Sequence, residues 1–106
     1  MEVKHTRHYK SVSSSSTDSD EYTPANGKSI AIYEIGGNAA HSNEVKVEIK
    51  WNTEILFSTH GDSIQKMADG DRIELTADGS KKLVIKLTND SDSTETLGGY
   101  YKMVEI

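Results

Sequence analysis

Apolar and polar residues alternate along most of the chain beyond residue 22, and the clearest run is Glu44-Val45-Lys46-Val47-Glu48-Ile49-Lys50-Trp51. A period of two puts Val45, Val47, Ile49 and Trp51 on one face of a strand, against a core, and Glu44, Lys46, Glu48 and Lys50 on the other, in water. Asn52-Thr53 reads as a tight connection into a second strand over 54–60, rich in β-branched and aromatic residues, so the two form a hairpin. Further strands are predicted over 28–35, where Ile30 and Ile32 are followed by a shifted Ile35, and over 71–76, 81–88 and 97–106. Asn26-Gly27, Gly36-Gly37-Asn38, Gly61-Asp62, Asp69-Gly70-Asp71 and Asp78-Gly79-Ser80 read as the turns between them. Only residues 63–67 could make a helical turn, and that is too short to set a fold class.

Six to eight short strands without long helices predict an all-β fold: a single antiparallel β-sandwich, of which the jelly roll is one form. The connections are too short for the crossovers of a parallel sheet. Residues 1–22 differ in kind from the rest. A basic segment with Lys4, Arg7 and Lys10 against Glu2 is followed by serines and then by Asp18, Asp20 and Glu21. This reads as an extended N-terminal arm and Ser-rich linker, flexible or partner-bound, preceding a sandwich domain at 23–106.

Composition narrows the chemistry. The chain has 106 residues, 34% hydrophobic, with Lys+Arg 12 against Asp+Glu 17 and a net charge of −5. A chain of this size needs nearly all its large apolar residues for one core, leaving few to line a deep pocket. It has no cysteine, so neither a disulfide framework nor a thiolate metal site is available. The start lacks the apolar run of a signal peptide, and no stretch approaches the ~20 apolar residues of a membrane-spanning helix. The acidic balance disfavours nucleic acid, whose phosphates are met by Lys and Arg.

Four histidines are the only bases near neutral pH, and none lies in a recognised catalytic motif. His60 stands in Ser58-Thr59-His60-Gly61-Asp62, but neighbours on a strand point to opposite faces, so the expectation is no enzymatic activity and no catalytic residue. The loop Asn89-Asp90-Ser91-Asp92-Ser93-Thr94-Glu95 alternates carboxylates but lacks the glycine and terminal glutamate of a calcium loop. No metal site and no cofactor are expected. Trp51 continues the inward row and is assigned to the core, whereas one of Tyr100 and Tyr101 must face outward if both lie in a strand.

Three segments together resemble small β-sandwich accessory proteins of tailed bacteriophage particles. They are Thr23-Pro24-Ala25-Asn26-Gly27-Lys28, with Asn26 inserted in a Pro-Ala-Gly-Lys-like turn, then Ile55-Leu56-Phe57-Ser58-Thr59-His60-Gly61, then Gly79-Ser80-Lys81-Lys82-Leu83-Val84-Ile85-Lys86-Leu87-Thr88-Asn89-Asp90. The resemblance covers residues 23–106. It implies a non-enzymatic structural or interaction protein, attached to a phage head or tail and present in the host cytoplasm before assembly. Such a protein would bind virion components or sister subunits, as a homo-oligomer or bound to an assembly. The arm would anchor it, so Val3, Lys4, Arg7, Tyr9 and Lys10, with Tyr100 or Tyr101 on the body, are the expected partner-binding residues. The alternative is a carbohydrate-binding sandwich using outward tyrosines, with calcium as an aid.

Overall fold

The computed structural model describes all residues, Met1–Ile106. Nine strands follow one another: β1 (Glu2–Val12), β2 (Ser16–Tyr22), β3 (Ser29–Asn38), β4 (Val45–Trp51), β5 (Glu54–Thr59), β6 (Ser63–Lys66), β7 (Ile73–Thr76), β8 (Leu83–Asn89) and β9 (Glu95–Glu105). A single 3-10 turn at Asp69–Asp71 is the only helical element. The front sheet has the order β1-β9-β3, with β6 and β7 pairing in turn along the outer edge of β3, and the back sheet has the order β2-β8-β4-β5. All pairings are antiparallel. With β6 and β7 counted as one interrupted strand, consecutive strands alternate between the sheets except at the β4–β5 hairpin, the connectivity of a jelly roll.

The inward row of the run at 44–51 behaves as its pattern requires: Val45, Val47, Ile49 and Trp51 are buried and belong to one core of 17 residues between the sheets. The outward row departs from it at Glu48, which is 5% exposed rather than in water, its carboxylate 3.6 Å from Lys46. Asn52 takes a left-handed φ of 56° in the hairpin to β5, a conformation asparagine tolerates. The shifted Ile35 has a cause: a bulge between Ile32 and Glu34 inserts Tyr33, so Ile30, Ile32 and Ile35 all reach the core.

Three expectations are corrected. The stretch 63–67, read as a helical turn, instead supplies strand β6 on β3 through Ser63–Lys66, because ladder bonds are gained there that a four-residue helix cannot match. Gly36-Gly37-Asn38 is the end of β3, not a turn. Among glycines only Gly27 and Gly79 take positive φ.

The third correction concerns residues 1–22, which are not an arm. β1 pairs with β9 over eleven residues and β2 with β8 over seven, and each closes one sheet on the same side of the sandwich. Alternation is present in both strands, but the inward residues are mostly polar. The inward row of β1 carries Lys4, Thr6 and His8, and that of β2 carries Asp18, Asp20 and Tyr22. They meet as a polar seam: Lys4 Nζ donates to Tyr22 Oη (2.6 Å), Tyr22 Oη donates to Glu105 Oε1 (2.6 Å), and Asp18 lies 3.4 Å from His8 and 3.3 Å from Lys10. The basic and acidic blocks of the sequence are thus two facing strands. At its closed end the buried Asn89 amide donates to the carbonyls of Val12 (2.9 Å) and Ser93 (2.8 Å), tying the β8–β9 loop to the end of β1.

Four glycines lie together in the middle of the front sheet. Gly37 is paired with Gly99, and Gly36 and Gly98 flank them on the opposite face. A Cβ at Gly99 would meet Val47 Cγ1 at 2.9 Å and Ile85 Cγ2 at 3.0 Å, and one at Gly37 would meet Val47 Cγ1 at 3.0 Å. The inward pair therefore lets the back sheet press close.

Candidate functional site

The outward glycines do the same for aromatic rings. A Cβ at Gly98 would overlap the Tyr9 ring, and one at Gly36 would overlap the Tyr100 ring. Tyr9 is directly opposite Gly98, and Tyr100 is opposite Gly36. Each ring therefore lies down over the glycine of the next strand, which no residue with a side chain would permit.

Charged groups surround the two rings. The Arg7 guanidinium sits 5.0 Å from the Tyr9 ring centre, within cation–π range. His5 meets Tyr100 edge to face, with centres 5.7 Å apart and planes at 72°. Tyr100 Oη donates to Glu34 Oε2 at 2.7 Å, and Lys102 Nζ lies 3.5 Å from the same oxygen. Two exposed apolar residues lie at the rim: Val3 on β1 is 63% exposed and Ile64 on β6 is 64% exposed. The surface is a flat strip of Tyr9, Tyr100, Arg7 and His5 across three strands, one end fixed by the Glu34–Lys102 pair.

Electrostatics lock Tyr100 in place. Burial of its hydroxyl, followed by the hydrogen bond and charge of Glu34, pushes its pKa up to about 12 from 10.0. In return the Tyr100 hydroxyl, helped by Lys102, holds the Glu34 carboxyl below its ordinary value. A raised tyrosine pKa contributes stability that is complete below the unfolded value near 10 and is lost as pH rises through the folded value. Urea-unfolding stability should therefore decline between pH 10 and about 12. Tyr100→Phe should make that decline shallower; equal slopes for both proteins would show that the hydroxyl is not held as described.

Of the seven residues expected to bind partners, the structure brings Val3, Arg7, Tyr9 and Tyr100 to this one face. Tyr101 leaves the set: it is 1% exposed, in the core, with its hydroxyl turned toward the seam. Lys4 also leaves it, being engaged inside the seam with Tyr22 and Glu105. Lys10 reaches the seam's rim at Asp18, where desolvation raises the carboxyl but the Lys10 hydrogen bond and charge, with His8, win and lower it. Sequence reasoning missed His5, Glu34, Gly36 and Gly98. Their signal was the spacing of Tyr9 and Tyr100 relative to two Gly-Gly pairs, which becomes readable only once β1, β9 and β3 are known to be neighbours.

His60 does not join a hydroxyl and a carboxylate. Its Nδ1 is 2.7 Å from the Val45 carbonyl, while Asp62 faces His41 at 3.8 Å. No group of three or more histidine or acidic side chains is placed to hold a metal ion, and no helix is long and apolar enough to cross a membrane.

No family model matches the chain, and no curated protein matches it. Among solved structures it is similar to PliG of Aeromonas hydrophila, a periplasmic lysozyme inhibitor of g-type lysozyme. The identity is 10%, covering 98% of this chain and 86% of that one, with a TM-score of 0.43.

Proposed function

We propose that the chain is a non-enzymatic interaction protein whose recognition surface is the outward face of β1, β9 and β3. The observation that carries this reading is the pair of tyrosine rings laid flat over Gly98 and Gly36 beside Arg7. Tyrosine and arginine are the residue types that dominate protein-binding hot spots, and rings already fixed lose little entropy when a partner covers them. Flatness favours a macromolecular partner, since small ligands are held in concave sites. The narrower reading, an accessory protein docked in many copies on a phage particle, is supported by the sequence resemblance over residues 23–106. Docking then uses a rigid sheet face in place of a flexible arm.

A photoreactive benzoylphenylalanine at position 9, introduced in the producing cell, should cross-link to one discrete protein other than a second copy of this chain. The same label at Lys46, on the outward face of the back sheet, should not. Equal adducts from both positions, or none from position 9, would overturn the proposal. An adduct with a protein that is not a virion component would remove the particle assignment alone. The flat rings also favour a second reading, stacking against a sugar. It predicts retention on a glycan surface that Tyr9→Ala abolishes.

A further inference from the structure

β1 and β2 end their sheets on the same side of the sandwich, and neither has a strand on its outer edge. Both ladders run without a shift of register, over eleven and seven residues. A regular, uncovered edge of that length is a template for another strand. Charge selects which one. β1 carries Lys4, Arg7 and Lys10 against Glu2, whereas β2 carries Asp18, Asp20 and Glu21 and no cation. Pairing β1 with a second β1, or β2 with a second β2, sets strands of like net charge side by side, and pairing β1 with a second copy's β2 sets strands of opposite net charge side by side.

We propose that two copies form a two-fold dimer in which β1 of each pairs antiparallel with β2 of the other. The register follows from the seam. Within one copy Lys4 is level with Tyr22 and His8 with Asp18, so residues whose numbers add to 26 lie level across this side. A two-fold axis running along the strands keeps those levels and exchanges the sheets. It places His5 opposite Glu21, Arg7 opposite Ser19 and Tyr9 opposite Thr17 of the second copy on the outer surface. On the inner side Thr6 stands opposite Asp20 and His8 opposite Asp18. Outward rows meet outward rows, as a continuous sheet requires; an odd sum would have set them against inward ones. The alternative axis, perpendicular to the strands, brings β1 beside β1 with its cations together.

Two local features fit. The Ser19 N–H is capped by the Asp18 carboxylate at 2.9 Å, a stand-in for the carbonyl an adjoining strand would supply. Tyr101 Oη, a buried polar atom that lacks a hydrogen-bond partner, lies on this seam, and His8 Nε2 there has only its own Asp18, at 3.4 Å. The inference is independent of the recognition face, which the dimer displays twice.

The chain has no cysteine, so introduced thiols report the contact without background. A hydrogen-bonded antiparallel pair has Cα atoms about 5.5 Å apart, within disulfide range. Positions 7 and 19 of one chain lie on opposite outer faces, about 10 Å of sandwich apart, and cannot bridge each other. Sedimentation equilibrium of the native protein should give twice the 11.7 kDa chain mass. A mixture of Arg7→Cys and Ser19→Cys proteins should oxidise to a mixed dimer, and Arg7→Cys alone should not. Self-linking of Arg7→Cys would overturn the arrangement. If the cysteine variants do not fold, the native mass decides, and a monomer at high micromolar concentration overturns the dimer.

Discussion

A chain that begins at Thr23 should show no cooperative melting transition. Removing residues 1–22 takes away β1 and β2, the partners of β9 and β8 along their whole length. It strips the buried Val12 from the core and opens one side of the sandwich beside Leu83, Ile85, Leu87, Tyr101 and Met103, all at most 1% exposed. Each of those side chains is worth about 1.5–3 kcal/mol when fully buried, and a domain of this size holds only about 5–15 kcal/mol in total. Partial exposure of several, with the loss of Val12, consumes that margin. Circular dichroism on heating checks it. A truncated chain that melts cooperatively within a few degrees of the full one would restore residues 1–22 to the role of a dispensable arm.

The second large effect is expected from Gly99→Val. The new Cβ would lie 2.9 Å from Val47, 3.0 Å from Ile85 and 3.1 Å from Ile49, and its two methyl groups would need space that these core side chains already fill. Glycine in a strand costs about 0.5–1 kcal/mol relative to a residue with a side chain, so relief of that cost works in the variant's favour. Overpacking a close-fitted core typically costs about 1–3 kcal/mol and sometimes more, so the steric term wins and a net loss of about 2 kcal/mol is expected. Equilibrium urea unfolding measures it. A Gly99→Val protein as stable as the parent would show that the sheets are not held together at the glycine patch.

The back sheet was legible because its central strands bury one row of apolar residues and, Glu48 apart, leave the other row nearer to solvent. Val45, Val47, Ile49 and Trp51 in β4, and Leu83, Ile85 and Leu87 in β8, announce both period and phase. β1 and β2 alternate just as regularly, but their inward rows are Lys4-Thr6-His8 and Asp18-Asp20-Tyr22, which hydrophobicity does not register. Their charges complement one another across a gap that sequence order shows only as a basic block followed by an acidic one. The Gly36-Gly37 pair misled for a related reason. Glycine marks a turn when its backbone freedom is used, as at Gly27 and Gly79, and a close approach when its missing side chain is used, as at Gly36, Gly37, Gly98 and Gly99. Which of the two applies depends on neighbours from distant parts of the chain. The candidate site shares this property: Tyr9, Arg7 and Tyr100 were each visible as residues, but their assembly into one face required the β1–β9–β3 register.

The most direct test of the recognition face displaces one of its rings without altering any of its charges. Gly36→Val leaves Arg7, His5, Glu34 and Lys102 in place but lifts the Tyr100 ring off β3, where a Cβ cannot coexist with it. Cross-linking from a photoreactive residue at position 9 should then fall to the level of the Lys46 control, while the melting temperature stays within a few degrees of the parent. Undiminished cross-linking in a folded Gly36→Val protein would contradict the claim that the flat tyrosine platform is what the partner recognises.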